Sequence, residues 1–425
     1  MFITEKAREI PVKGEYDVIV CGSGPSGFAA AVMAGRMGVK VLLLDAMGSV
    51  GGISTSGMMS HFTGDCNSNL YHEILQRAAD KNPFETGRMK VQINHELMKL
   101  TYYEMLAEAN VTTLLYTTVC DVVMEGDTLT GVICENKGGR CAYLGKVIVD
   151  GTGDGDVAAK AGAEYVLGRE SDGAMQPATL MFQVAGVDME RAVFPESFET
   201  LVDTEKGELQ HLASELLPKP AGHVLLYKST IPGIVTCNMT NVIGIDGTKA
   251  EDLTRAEIVC HEQMPRIVDF LRQYVPGYEN CYIIGAANLI GIRETRHFKG
   301  LYTLTGEDIL AAKLFDDWVV RDARFNFDVH NLTGSGLDKT GAQKYFPQSR
   351  GYSIPYGCMV PEKIDGLLLS GRNISGTHMA HSNYRVMPIC VGIGEAAGMA
   401  AAIAVKKGIL PREVDPKEIR AIQHK

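Results

Sequence analysis

Short runs of wholly apolar residues, closed by glycine, open the chain and return near its end. Residues 16–21 (Tyr-Asp-Val-Ile-Val-Cys) and 40–45 (Lys-Val-Leu-Leu-Leu-Asp) read as buried strands, and the small, apolar stretch 26–38 between them reads as a helix. Strand, tight turn, helix and strand within about 30 residues form a βαβ unit. Strands without an alternating polar face belong to a parallel sheet covered on both sides. A glycine- and serine-rich loop follows at 48–60, and helices are predicted over 69–80 and 94–110. Residues 111–124 and 128–135 alternate as strands around the turn Glu125-Gly126-Asp127, and 141–150 ends in another apolar strand.

After residue 164 the rhythm changes. Strands are predicted at 178–187, 222–228 and 233–239, and a long helix at 250–274, with prolines and polar loops between them. The buried-strand pattern returns at 364–370, ahead of a helix of alanine and glycine at 388–405. The pattern predicts an α/β chain whose parallel central sheet is built from 1–164 and 351–425. An inserted α+β substrate or cap domain, 165–350, interrupts it. The stretch 388–405 has the length of a membrane span and one charge, Glu395. Its alanines and glycines are weakly hydrophobic, which favours a buried helix in close contact with its neighbours.

Composition narrows the classes. The chain has 425 residues, 45% apolar and 22% charged, as expected of a globular protein of two or three domains. A net charge of −10 without a basic block disfavours nucleic acid and anionic membrane as partners. The ten cysteines form no Cys-x-x-Cys pair, against zinc ribbons, thioredoxin-type sites and ferredoxin-type clusters. A polar N-terminus and unpaired thiols give the expectation of a cytoplasmic protein. The expected partners are a small-molecule substrate and a second copy of the chain or a redox protein.

The chemistry starts at Gly22-Ser23-Gly24-Pro25-Ser26-Gly27, a G-x-G-x-x-G that follows a strand, opens a helix and has Asp45 at the end of the next strand. That context makes it a dinucleotide fingerprint and the domain Rossmann-like. Gly22 permits the turn, Gly24 lets a pyrophosphate approach the backbone, and Gly27 lets helix and strand pack. The helix N-terminus supplies N–H donors and a positive dipole end. Asp45 suits a ribose diol. The fingerprint alone leaves FAD and NAD both open.

Three further segments bear on that choice. Gly51-Gly52-Ile53-Ser54 can wrap a second side of a pyrophosphate and reach a ribityl chain. Asp150-Gly151-Thr152-Gly153-Asp154-Gly155-Asp156 has a glycine where a calcium loop needs one, but Ala161 stands where that loop requires glutamate, so calcium is rejected. Gly371-Arg372 ends a strand ahead of Arg385-Val386-Met387-Pro388, where Pro388 suits the first turn of a helix. No metal site is expected.

These segments, with Gly291-Ile292-Arg293-Glu294-Thr295-Arg296, resemble the FAD-dependent oxidoreductases related to succinate dehydrogenase and fumarate reductase flavoproteins, over nearly the whole chain. The resemblance implies non-covalent FAD. It implies that Gly22, Gly24, Pro25, Ser26 and Gly27 hold the pyrophosphate and that Asp45, with Ala46, holds the adenosine ribose. Gly51, Gly52 and Ser54 would line the flavin side, and Val119 would meet the adenine. Gly151, Gly153 and Asp156 would form a second nucleotide turn, and Gly371, Arg372, Met387 and Pro388 would hold the ribityl and flavin end.

Two clusters are candidates for work on substrate. His378, His381 and Arg385 precede the 388–405 helix, and Arg293 and Arg296 flank Glu294. A histidine can move a proton near neutral pH, and an arginine can hold a carboxylate by two hydrogen bonds. His61, Tyr352 and Tyr356 are weaker candidates. The expected activity is hydride transfer between a small polar or carboxylate-bearing substrate and flavin N5. Two alternatives stay open at this point: an NAD-dependent dehydrogenase using the same fingerprint, and a non-catalytic flavoprotein serving a partner chain.

Overall fold

The computed structural model describes residues 3–4, 6–81, 92–337 and 350–423. The predicted βαβ unit is present as β1 (Val12–Cys21), α1 (Pro25–Arg36) and β2 (Val41–Leu44). Two helices follow, α2 (Asn69–Asp80) and α3 (His95–Glu108), capped by the side chains of Ser68 and Asn94. Strands β3 (Thr112–Leu114), β4 (Thr118–Glu125), β5 (Thr128–Asn136) and β6 (Gly139–Asp150) complete most of the main sheet. Its order is β3-β2-β1-β6-β5-β4, and the strand Leu367–Leu369 also pairs with β6.

β6 does two jobs. Its first half forms an antiparallel ladder with β5, and its last residues, Ile148–Asp150, pair in parallel with Leu367–Leu369. Along its other edge it runs parallel to β1. The C-terminal ends of β1, β2, β6 and Leu367–Leu369 therefore lie together, where ligands of open α/β sheets bind.

The stretch 111–124 is two strands, not one. β3 pairs in parallel with β2, whereas β4 turns back against β5. Tyr116, at φ 54°, makes the corner between them. Alternation of polarity cannot reveal a change of partner. The three strands expected at 178–187, 222–228 and 233–239 shrink to Phe182–Ala185, Leu226–Lys228 and Val235–Cys237. With Tyr282–Ala286, which the pattern missed, they form a four-stranded antiparallel sheet. The first strand stops short because the Thr240 side chain, not a neighbouring strand, takes the backbone N–H and C=O of Leu180.

Two hydrophobic cores result. One gathers the main sheet, α1 and the C-terminal helices; the other gathers residues 178–287 around the second sheet and the helix α4 (Ala250–Tyr274). Phe298 to Val329 pack into the first core, so the later part of the stretch 165–350 belongs with the main sheet.

The helix expected at 388–405 runs from Met387 to Lys407 (α6), preceded by the short helix α5 (His378–Tyr384). By length and composition α6 could cross a membrane, yet 94% of its most apolar stretch is buried inside the protein. A Cβ on Gly394 would lie 2.0 Å from the Ser26 carbonyl oxygen, and one on Gly398 2.2 Å from that of Ala30. The small residues are there so that α6 can lie directly against α1.

Candidate functional site

The fingerprint forms a cradle with one open side. Gly22, at φ +89°, turns the chain so tightly that a Cβ would sit 2.4 Å from the Gly151 carbonyl oxygen. A Cβ on Gly27 would lie 1.9 Å from the Gly22 carbonyl oxygen. A Cβ on Gly24 would meet nothing within 4 Å. Gly22 and Gly27 are thus glycines for packing, and Gly24 is a glycine for space. Pro25 takes the first turn of α1, and no side chain caps that helix end. Its first N–H groups face the opening as a seat for an anion.

The loop after β2 closes the cradle from above. The Gly51 N–H bonds the Ser23 carbonyl, and a Cβ on Gly52 would lie 3.0 Å from the Gly24 Cα. Ser54 is buried and donates to the Gly51 carbonyl. Asp45 accepts hydrogen bonds from the backbone and hydroxyl of Ser23 and from the Met47 N–H, beside the exposed Ala46. Thr117 donates to the Asp45 carbonyl, which places Val119, two residues on, near this rim.

The second turn and the strand end lock onto the same place. Gly151 packs on Gly27, and Ser370 bonds both the Asp150 carbonyl and, through its hydroxyl, Ser26. Gly371 is left-handed at φ +99°. Arg372 crosses to Asp154 at 2.8 Å and lies against Gly153. Met387 and Pro388 are buried at the start of α6, which also lacks a side-chain cap. A dinucleotide fits this donor set: two uncapped helix ends, a carboxylate at the far strand, and an open space where Gly24 has no side chain.

Neighbouring residues Arg293 and Glu294 belong to two different polar groups. Arg293 donates to the Pro177 carbonyl and to the Thr179 hydroxyl. Burial and the nearby charge of Arg385 pull its guanidinium down to about 10, still a cation at neutral pH. Arg385 pairs with Asp328 at 2.8 Å, and His330 lies 3.3 Å from the same carboxylate. Burial opposes the charge on Asp328, but His330, Arg385 and Arg293 together hold its carboxyl below the ordinary range. His223 and His330 flank the Phe198 ring, and His61 meets Tyr227 edge-on at 4.9 Å. Two guanidiniums thus stand around one carboxylate, which pairs with Arg385, beside three histidines that burial biases to the neutral form. Glu196, which also acts on Tyr227, is exposed. The group has a positive charge to spare, among the described residues.

On the other side, Glu294 collects the imidazoles. Its Oε1 accepts from His297 Nε2 at 2.8 Å and His378 Nδ1 at 2.6 Å, and its Oε2 accepts from the Gln176 N–H. Burial works against this charge, but the imidazole hydrogen bonds prevail and keep the carboxyl below its usual range. His381 is buried edge-on to His297, with its own titration pushed far down by burial. Arg296 pairs with Asp156 and the Asp154 carbonyl.

The structure therefore sorts the expected catalytic residues into two groups, with Arg296 apart from both. Arg293 and Arg385 come together. His378 and His381 join Glu294 rather than Arg385, and Arg296 braces the 150–156 turn. Tyr352 and Tyr356 are buried, bonded to Asn383 and to the Pro411 carbonyl. Asp328, His330, His223 and Tyr227 were not legible in the sequence. The only local signal is the alternation Asp328-Val329-His330, which places two titratable groups on one face.

This arrangement has a pH signature. Burial lowers His223 to about 3 and His330 to about 4, against an ordinary value near 6.5. A folded state that binds a proton less readily than the unfolded chain is stable above pH 6.5 and loses that stability as pH falls toward 4. The shifts correspond to roughly 3 to 5 kcal/mol each. Asp150, raised by burial to about 6, acts in the opposite sense over the same window. The check is therefore a difference. The thermal midpoint of the wild type should fall more steeply from pH 6.5 to 4.5 than that of His330→Gln.

A family model described as FAD dependent oxidoreductase matches residues 17–424. Among curated proteins, the chain is 24% identical over 205 residues to digeranylgeranylglycerophospholipid reductase 1 of Methanococcoides burtonii, covering 43% of this chain and 47% of that protein. It is 31% identical over 93 residues to dihydrolipoamide dehydrogenase of Chaetomium thermophilum, covering 22% and 18%. The chain thus spans less than half the length of these relatives. Among solved structures, the flavin-dependent brominase Bmp2 aligns with a TM-score of 0.50 at 12% identity, over 96% of this chain and 83% of that one, a likeness of fold alone.

Proposed function

The chain belongs to the FAD-dependent oxidoreductase family, and from that premise we propose that it oxidises or reduces a small anionic substrate, a carboxylate held by Arg293 and Arg385. The enzyme is a flavoprotein, so the nicotinamide and non-catalytic readings give way. The observation that carries the substrate class is the unbalanced charge of two guanidiniums around the single carboxylate of Asp328. A planar guanidinium presents paired donors that match a carboxylate.

In this reading Gly22, Gly24 and Gly27, with the N-terminus of α1, hold the pyrophosphate, Asp45 orients the ribose, and the start of α6 faces the flavin. Bound FAD supplies the two-electron chemistry, with hydride exchanged at N5. The protein holds and shields the substrate. The aromatic rings of Phe198 and Tyr227 wall it from water. His223 Nε2 donates to the Asn238 carbonyl, while its Nδ1 is buried without a partner. That nitrogen is placed to accept a hydrogen bond from a substrate hydroxyl or amine. The same reading keeps the chain within the succinate dehydrogenase and fumarate reductase superfamily. It also draws the substrate side from residues of the 165–350 stretch together with Arg385, places the protein in the cytoplasm and attaches FAD without a covalent bond.

The test is an absorption spectrum of the purified protein before and after acid precipitation. Flavin bands released to the supernatant as FAD support the reading. Flavin retained in the pellet shows a covalent bond, and a protein that stays colourless with added FAD overturns it.

A further inference from the structure

The cluster around Glu294 has more ligand capacity than hydrogen bonding uses, and from it we propose that Glu294, His297 and His381 form a binding site for a divalent transition-metal ion. These three residues each offer one ligand atom, and the three atoms lie within 4.8 Å of one another. All three residues are buried, at 5% exposure or less. The Nδ1 atoms of His297 and His381 are both enclosed and without a hydrogen-bond partner. Two unpartnered imidazole nitrogens beside a buried carboxylate are unusual, because buried polar atoms are nearly always satisfied.

The donor set indicates the ion. Two imidazoles and one carboxylate, with no thiolate, suit zinc, cobalt, nickel or iron(II); calcium and magnesium prefer oxygen alone. Metal–ligand bonds of about 2.0–2.2 Å require the three atoms to close to roughly 3–3.5 Å apart, which side-chain rotation can supply. His378, whose Nδ1 donates to the same Glu294 oxygen, would stand outside the ligand set and orient the carboxylate. Glu294 and His297 lie on the segment leading from the second sheet back to the main core, and His381 lies on α5, directly before α6. An ion here would clamp the substrate-side segment to the helix that begins at the flavin. The site is independent of which substrate is turned over.

The experiment uses the purified flavin-bound protein, free of any affinity tag, loaded with Co2+, desalted and read by elemental analysis and visible absorption. About one Co2+ per chain is expected, with d–d bands of a low-coordinate site that Zn2+ abolishes, and a rise in the thermal midpoint. His297→Gln and His381→Gln should each weaken Co2+ binding at least tenfold while keeping flavin. Replacing the exposed His72 should change nothing. A folded wild type that retains no metal overturns the proposal. So does metal retained undiminished in a His297→Gln/His381→Gln double variant that still carries flavin. If both variants fail to fold, the wild-type spectrum decides: weak bands of six-coordinate aqueous cobalt, unmoved by Zn2+, overturn it.

Discussion

Gly24→Val is expected to give a folded protein that no longer holds FAD. A Cβ at this position would have no neighbour within 4 Å, so the side chain meets no protein atom as it leaves the backbone. It fills the space that the uncapped end of α1 leaves for a pyrophosphate. A loss of at least a hundredfold in flavin affinity follows, about 2.7 kcal/mol, with a thermal midpoint close to that of the wild-type apoprotein. Gly27→Ala tests the other kind of glycine. Its Cβ would stand 1.9 Å from the Gly22 carbonyl oxygen, so β1 and α1 must separate. Overpacking of this sort costs about 1–3 kcal/mol or more, and this variant should lose stability and flavin together. Flavin per chain after desalting, set beside the melting curve, separates the two. A Gly24→Val protein that stays fully loaded would show that the cradle does not hold the phosphates.

The same contrast shows what the sequence could and could not carry. The cofactor side was legible because each part is local: a strand, a turn, a helix end and an acid within 24 residues, Gly22 to Asp45. Gly24 and Gly27 have roles that follow from backbone sterics alone. The α6 helix was also legible, since only glycine and alanine permit its approach to α1. The substrate side was not. Arg293 and Asp328 lie 35 residues apart, and Arg385 a further 57. No spacing rule links them, because loops and a second core bring them together. Adjacent Arg293 and Glu294 read as one cluster in sequence, but an extended chain sends consecutive side chains to opposite faces. That alternation sends Arg293 toward Asp328 and Arg385, and Glu294 toward the histidines. The turn at Tyr116 was hidden for a related reason: strand polarity records which face is buried, not which strand lies alongside.

The two arginines should fail differently, and the difference tests the anion-binding reading more sharply than loss of activity alone. Arg293 is held by neutral groups, the Pro177 carbonyl and the Thr179 hydroxyl. Arg293→Ala leaves the Arg385–Asp328 pair in place and should lower the melting curve only by the cost of the two hydrogen bonds it gives up, about 1–3 kcal/mol. Among the described residues its guanidinium bonds no carboxylate, so its removal should abolish the response of the flavin spectrum to small carboxylates. Once a substrate is in hand, kcat/KM should fall at least a thousandfold, about 4 kcal/mol of transition-state binding. Arg385 pairs with Asp328, which is three-quarters buried at 26% exposure. Truncating one member of a buried pair leaves the other charge uncompensated, at about 3–5 kcal/mol when burial is complete and less here. Arg385→Ala should thus lower both stability and turnover. Adding Asp328→Asn should restore the stability and not the turnover, because neutralising the carboxylate removes the stranded charge without replacing the lost anion donor. Normal turnover in both single variants, each with flavin bound, would remove the arginines from the reaction and with them the carboxylate substrate. A double variant that recovers activity along with stability would make Arg385 a structural partner of Asp328 alone, leaving Arg293 as the sole anchor.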